Sequence, residues 1–263
     1  ALLDADHDPT PVMLETLKEN PDQLENDGAE AYLAIGTEAA TWLHEQGVGA
    51  DGLVYCMVAD PAGCGLTGSG SPRGVSTAIP LPKQFALLAR ALPETRSVGV
   101  LYSRADAASR AQVKAARSAL PTDWTLAAVS VDDYDTPAEA IDALYGKRID
   151  AVWTAADQAV YTPAVVRALL LKGLRSGTPV YGFSIPFVRA GALVGAGIDP
   201  QTNGAQAGAL TASVLGGTAG NSHSAMPPRY QIAANLAAAR SLEITLPEPV
   251  VREADVVIGG RDR

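Results

Sequence analysis

The sequence predicts an α/β protein built as two lobes, each a doubly wound parallel sheet with helices on both faces. Three observations lead there. Apolar runs of strand length alternate with amphipathic stretches along most of the chain, the rhythm of βα units. The composition is 47% hydrophobic but only 5% aromatic, so the interior is aliphatic and small, as suits strands buried on both faces. The buried runs also end in short polar breaks. Leu53 to Val58 runs into Ala59-Asp60-Pro61, Val98 to Leu101 into Tyr102-Ser103, and Ala151 to Trp153 into Thr154-Ala155-Ala156-Asp157-Gln158. In an open α/β sheet the carboxyl ends of the strands form the crevice where ligands bind. Here those ends carry hydroxyls, carboxylates and an amide, groups that hold a small molecule.

The elements follow in order. A strand Ala1 to Leu3 precedes a helix from Pro11 to Asn20, with Thr10 as N-cap and Pro11 in the first turn. A strand Ala31 to Ile35 leads through Gly36 to a helix Glu38 to Glu45 that Thr37 is placed to cap, then to the strand Leu53 to Val58. Gly63 to Gly74 reads as a loop and Gly74 to Thr77 as extended. From Pro80 a helix sets Phe85, Leu88, Ala89 and Leu92 on one face until Pro93 stops it. Next come a strand Val98 to Leu101, a helix Ala107 to Leu120 and a strand Leu126 to Val131. A helix Pro137 to Leu144, a strand Ala151 to Trp153, a helix Pro163 to Leu171 and a strand Val180 to Gly182 continue the alternation. The remainder holds a strand Leu193 to Ile198, a helix Ala205 to Leu215, a polar loop Gly216 to Ser224, an extended Tyr230 to Ala233 and a helix Leu236 to Leu242. This tail is too short for a third domain and completes the first two. The expected lobes are residues 1–76 with about 192–226, and 77–191 with about 227–263, so the chain crosses between them more than once.

Charge and motif exclude several functions. A net charge of −9 over 263 residues opposes phosphate backbones and anionic lipid surfaces, which argues against nucleic acid. No apolar run approaches the roughly 18 residues of a membrane span. His7, His44 and His223 are scattered, outside any zinc pattern. Gly68 to Gly74 lacks the lysine of a phosphate loop, and Gly182-Phe183-Ser184-Ile185-Pro186 departs from a nucleophile elbow at its last position. No catalytic residue, cofactor motif or metal site is therefore assigned. Asp132, Asp133 and Asp135 read as a solvated acidic loop without the glycine and distal glutamate of an EF-hand. Cys56 and Cys64 flank the Asp60-Pro61 break, either as a disulfide or as two free thiols, one of them buried.

Asp157 follows a strand and precedes a helix, where a carboxylate caps the helix, neutralises a ligand amine, or does both. Asp60 carries the same two readings, turn or crevice. Thr37 and Ser103 offer hydroxyls beside helix N-termini, a setting for a ligand carboxylate.

The chain resembles the ABC transporter substrate-binding proteins of the tryptophan and tyrosine uptake type, a branch of the type I periplasmic binding fold. The matching pieces are Ala34-Ile35-Gly36-Thr37, Ala59-Asp60-Pro61 with Gly65-Leu66, Gly74-Val75-Ser76, and Pro80-Leu81 with Gln84 and Leu92-Pro93. Val98 to Tyr102, Asp150-Ala151-Val152, Ala156-Asp157, and Val188 with Gly191-Ala192-Leu193 follow. Asn235-Leu236 with Ala239, Leu246-Pro247 and Ala254-Asp255 close the series. The resemblance implies a clamshell of two α/β lobes that closes by hinge crossovers on a small molecule, amino acid-like, for delivery to an ABC permease. It implies a periplasmic or extracellular protein, with a lipid anchor on a removed N-terminal segment as one form of it. By position, Thr37 and Asp60 would contact ligand from the first lobe, and Tyr102, Ser103, Ser109, Asp157, Gln158 and Ser184 from the second. A ligand-sensing domain of the same fold is the alternative, and an α/β enzyme would need an acid–base pair or cofactor that the motifs do not supply.

The sequence departs from the family pattern in three places. A strand and helix of about 40 residues, the size of one βα unit, are expected ahead of Ala1. Arg104 to Ser109 lacks the asparagine usual at the helix start after Tyr102, and Gln158 stands where asparagine is common. Replacing Asp157 with alanine is expected to weaken a cationic or zwitterionic ligand strongly at nearly constant melting temperature of the ligand-free protein; an equal loss of that stability makes Asp157 a cap.

Overall fold

The computed structural model describes residues 9–26, 28–157, 159–220 and 225–260. The expected strand Ala1 to Leu3 and the candidate Gln158 lie outside the described residues. The chain forms two compact units, Ala1–Ala78 with Ile198–Arg229, and Ile79–Gly197 with Tyr230–Arg263. It therefore passes between them three times.

Unit 1 opens with α1 (Leu14–Glu19), α2 (Gln23–Asn26), β1 (Tyr32–Ile35), α3 (Thr37–Glu45), β2 (Leu53–Val58) and β3 (Arg73–Ser76). Unit 2 follows with α4 (Leu81–Ala91), β4 (Ser97–Tyr102), α5 (Ala107–Ala119), β5 (Thr125–Ser130), α6 (Pro137–Tyr145) and β6 (Ala151–Trp153). It continues with α7 (Pro163–Ser176), β7 (Val180–Gly182), α8 (Ile185–Ala190) and β8 (Val194–Ile198). The chain returns to unit 1 for α9 (Pro200–Leu215) and β9 (Ala225–Met226), then ends in unit 2 with β10 (Tyr230–Asn235), α10 (Leu236–Ser241), α11 (Glu248–Glu253) and β11 (Val256–Ile258).

Unit 1 holds a sheet in the order β1-β2-β3-β9, with every pairing parallel. The alternation of β2 explains its layers. Leu53 and Tyr55 pack toward α3 with Ala40 and Leu43, while Val54 and Cys56 pack with Ala207 of α9. Successive side chains of a strand point to opposite faces, so this one run of six residues builds both halves of the core. Gly74 is fixed by its neighbour: a Cβ there would stand 2.3 Å from the Tyr55 ring.

Unit 2 holds a seven-stranded sheet in the order β11-β10-β8-β7-β6-β4-β5. The chain moves from β4 outward to β5, then returns to the other side of β4 with β6 and continues through β7 and β8. The strand order thus reverses between β4 and β6, the topological switch point of the sheet. Helix α7 contacts α6 and α8, and α4 contacts α5 and α11. The core runs from Phe85, Trp124 and Leu126 to Leu193, Ala234 and Val250.

Several expectations are corrected. The lobe boundary falls at Gly197/Ile198 rather than near residue 192, because β8 pairs with β7 in register Tyr181 to Val194. The first helix begins at Leu14, after an extended Met13 and without a side-chain cap, so Thr10 and Pro11 lie outside it. It buries only Leu17, too little packing to hold an extra turn. The cap of α3 is Gly36, at φ 97°, and Thr37 is the first helical residue. α9 starts five residues earlier than expected, capped by Asp199, whose carboxylate accepts the Thr202 N–H at 3.0 Å. α8, α11 and β11 were not expected; their signals, Ser184 ahead of Pro186 and Pro247 ahead of an acidic turn, are short.

One hydrogen-bond pair holds the end of β2. Met57 has φ 58°, and the register of β2 against β3 shifts between Tyr55 and Val58. The fully buried Asn203 of α9 accepts the Met57 N–H through Oδ1 at 3.0 Å and donates Nδ2 to the Ser76 carbonyl at 3.2 Å. Asn203→Ala leaves two interior backbone groups without partners and is expected to cost about 2–4 kcal/mol, read as a lower urea midpoint; an unchanged midpoint would show that the bulge holds itself.

Candidate functional site

The carboxyl ends of the strands in each unit carry the candidate residues. In unit 2 they gather at the switch point, where β4 and β6 pair only through Val98 with Ala151 and Gly99 with Val152. Further along, the Tyr161 side chain replaces the ladder. Its hydroxyl donates to the Leu101 carbonyl at 3.0 Å and accepts the Leu101 N–H at 3.1 Å. Burial pushes this hydroxyl well above the usual tyrosine range, and the nearby Asp157 charge adds to the shift, so it stays neutral and keeps both bonds.

Asp157 is held by the turn that delivers Tyr161. Its Oδ1 accepts the N–H groups of Ala159 and Val160, each at 3.1 Å, and its carbonyl accepts the Tyr161 N–H at 2.9 Å. The helix α7 is capped separately by Thr162, which accepts the Val165 N–H. The cap expected of Asp157 is therefore a cap on the 157–161 turn, not on the helix. Its second oxygen, Oδ2, is buried and accepts no hydrogen bond among the described residues.

Beside Tyr161 lies an aromatic cluster absent from the expected site. Phe183, half-buried at the end of β7, meets Tyr161 edge-on at 5.9 Å and Phe187 at 5.4 Å. Two of the three phenylalanines in the chain are here, and the only sequence signal was an aromatic residue directly after a buried strand. Ser184, next along, caps α8 by accepting the Phe187 N–H at 3.3 Å. Tyr102 ends β4 and is half-buried.

The β4–α5 loop is fixed by its own polar groups. Ser109 is buried, and its hydroxyl accepts the Ser103 N–H at 2.9 Å. The Ser103 hydroxyl donates to Asp132 at 3.0 Å and accepts the Asp106 N–H at 3.1 Å. Asp106 caps α5 by accepting the Ser109 N–H at 2.7 Å. Asp132 also accepts from Ala105 N–H at 3.0 Å and from the Ser130 hydroxyl at 3.1 Å. Ser103 and Ser109 thus spend their hydroxyls inside the loop, and Asp132 is its anchor rather than a bare member of a solvated run. The capping carboxylate of Asp106 already answers the positive end of α5.

In unit 1 the strand ends carry Ile35, Thr37 and Asp60. Ile35 is 70% exposed at the end of β1, directly before Gly36 and Thr37. Thr37 is exposed. Asp60 forms the turn that its Pro61 suggested, its Oδ1 accepting the Gly63 N–H at 2.9 Å. Asn203, through Met57, sets the direction in which β2 enters this turn. No local signal could have found it, because its partners lie 146 and 127 residues away. Cys56 and Cys64 are free thiols; burial pushes both above the usual range, with the Asp60 charge adding to it at Cys64. Among the described residues no cluster of histidine, cysteine and carboxylate side chains could hold a metal ion.

The hydrogen bond from Ala105, with those from the serines, holds Asp132 below the usual carboxylate range. A depressed native value stabilises the fold above the ordinary aspartate range, and that contribution is lost as pH falls through the native value, below about pH 4. Asp132→Asn is expected to lower the melting temperature at neutral pH and to flatten its fall toward acid; parallel curves for the two proteins would remove Asp132 from the loop's anchoring.

The fold has close counterparts. Over 93% of this chain and 84% of theirs, it matches the ABC domain of Streptococcus pneumoniae solved in complex with L-Trp, at TM-score 0.69 and 24% identity. A ligand-free, open substrate-binding protein with adhesive properties from Clostridium difficile matches over 94% of this chain and 84% of that one, at TM-score 0.75 and 20% identity. Both likenesses establish the periplasmic binding-protein-like fold. In sequence, the tyrosine-binding protein of Clostridioides difficile is 25% identical over 171 residues, 63% of this chain. That match spans about half of the relative's length, 49%. The family model of the ABC transporter substrate binding protein matches residues 10–258. The chain belongs to the ABC transporter substrate-binding protein family.

Proposed function

We propose that this protein is an extracytoplasmic solute-binding protein that captures an amino acid with an apolar or aromatic side chain and delivers it to an ABC permease. The observation that carries the reading is the buried, unpartnered Asp157 Oδ2 on the turn that delivers Tyr161, whose ring meets the half-buried Phe183 edge-on, at the switch point of the unit 2 sheet. A carboxylate oxygen withdrawn from water calls for a donor, and an α-ammonium supplies one with full charge assistance. Phe183 and Tyr102 form the wall for the ligand's side chain. Thr37 and Asp60 of unit 1 are the second set of contacts, engaged by hinge closure, which shuts water out and strengthens the ion pair. The tyrosine-binding relative and the L-Trp complex support an amino acid as the ligand class. Ser103, Ser109 and Ser184 act as positioning residues, because their hydroxyls fix loops and caps.

The test is a thermal-shift and calorimetric screen of amino acids, with L-tyrosine and L-tryptophan among them, against sugars and simple carboxylates. A ligand that binds only the folded state raises stability by about 2.7 kcal/mol at a hundredfold excess over Kd. A shift with sugars alone, or with nothing, would overturn the reading. Because Asp157 also holds its own turn, Asp157→Ala is expected to lose stability without ligand as well as binding. Asp157→Asn keeps the acceptor for Ala159 and Val160 and removes only the charge. It is expected to weaken an amino acid by about 10- to 100-fold, the worth of a charge-assisted bond, with little change in the melting temperature of the free protein. Undiminished affinity in that variant would move the ammonium contact elsewhere.

A further inference from the structure

We infer that a groove between α7 and α10 of unit 2 is a docking surface for an acidic amphipathic helix of a partner protein. α7 spends one stripe, Val165, Leu169 and Gly173, on its own core. A second stripe on the same helix is only partly covered: Leu170 still packs against the core, while Leu171 and Leu174 do not. Leu170, Leu171 and Leu174 line a cavity of about 660 Å³ whose far wall is Ala238, Ser241 and Leu242, in and just after α10. Leu171 and Leu174 are 46% and 48% exposed, where a surface helix normally turns polar residues to water.

Shape and charge select the occupant. The lined face of α7 runs from Pro163 to Leu174, about three turns or 16 Å of helix, and it is open to solvent along one side. Small-molecule sites bury most of their ligand, whereas a helix laid in a groove keeps its polar side in water. The short side chains of Ala238 and Ser241 let a guest backbone come close. Arg167 and Arg189 both line the groove and are exposed, and no carboxylate lies among its lining residues. Neither arginine has an ion pair among the described residues, although Lys172 of the same helix pairs with Asp142 at 2.6 Å. Two unneutralised cations on an apolar groove, in a chain of net charge −9, complement a helix whose apolar stripe is flanked by aspartate or glutamate.

The experiment uses the full chain and three probes, followed by amide chemical-shift mapping. The first is a synthetic peptide of about four turns with leucines at i, i+3, i+4 and i+7 and flanking glutamates. The second replaces those glutamates with lysines, and the third is dodecanoate, a small anionic amphiphile. The glutamate peptide is expected to bind saturably below about 1 mM, with shifts on α7 and α10, and the lysine peptide at least about tenfold more weakly. The exposed double variant Arg167→Glu with Arg189→Glu should reverse that order without changing the circular dichroism spectrum. Leu171→Gln with Leu174→Gln should weaken both peptides. Equal binding of the two peptides, binding of dodecanoate alone, or no binding would each overturn the assignment.

Discussion

Every backbone N–H and C=O uncovered inside a sheet has to find a partner, and at the switch point of unit 2 that requirement falls on one tyrosine. β4 and β6 stop pairing after Gly99 and Val152, so both backbone groups of Leu101 would face a gap. The Tyr161 hydroxyl satisfies both. Its insertion requires the 157–161 turn, the turn is closed by Asp157 Oδ1, and the ring it buries supports Phe183. The gap beside β4, the orientation of the Asp157 carboxylate and the contact between the Tyr161 and Phe183 rings therefore share one cause.

Carboxamide side chains fix the chain on either side of its passages between units. Gln84 donates to the Ile79 carbonyl at 2.8 Å and accepts the Trp153 indole N–H at 3.0 Å, tying the start of unit 2 to its core. Asn203 holds Ser76 in unit 1, and Gln206 accepts the Arg229 N–H at 2.9 Å just before the last passage. An amide donates and accepts at once without the desolvation cost of a charge, which suits it to backbone that leaves a sheet.

Two charged side chains, the buried Arg73 and the exposed Asp132, find most of their partners close by. Arg73, in the middle of unit 1, bonds the carbonyls of Ala50 and Gly220 and the carboxylate of Asp51. Asp132 collects three donors from the loop it anchors. Two of the chain's charged side chains keep a buried atom without a hydrogen-bond partner among the described residues, Arg73 at Nε and Asp157 at Oδ2; the exposed Arg167 and Arg189 have no ion pair there.

Much of the fold was legible in the sequence because it depends on period and punctuation. The strands Leu53–Val58, Ala151–Trp153 and Val180–Gly182 stand where the apolar runs placed them, since a buried parallel strand must be apolar along its whole length. Helix starts marked by proline, as at Pro137 and Pro163, were equally clear. The positions of Tyr102, Ser103 and Asp157 at strand ends followed from the same reading. What each of them does was decided by residues far along the chain. Ser109 and Asp132 take up the Ser103 backbone and hydroxyl, Thr162 relieves Asp157 of the helix cap, and Tyr161 reaches across to Leu101. The membership of β8 in the unit 2 sheet and the bulge held by Asn203 are likewise matters of pairing over long separations. The sequence alone determined which segments are strands and helices, because local periodicity encodes burial. Only the tertiary structure decided which polar atoms are spent within the fold and which remain free, because hydrogen-bond partners are chosen by proximity in space.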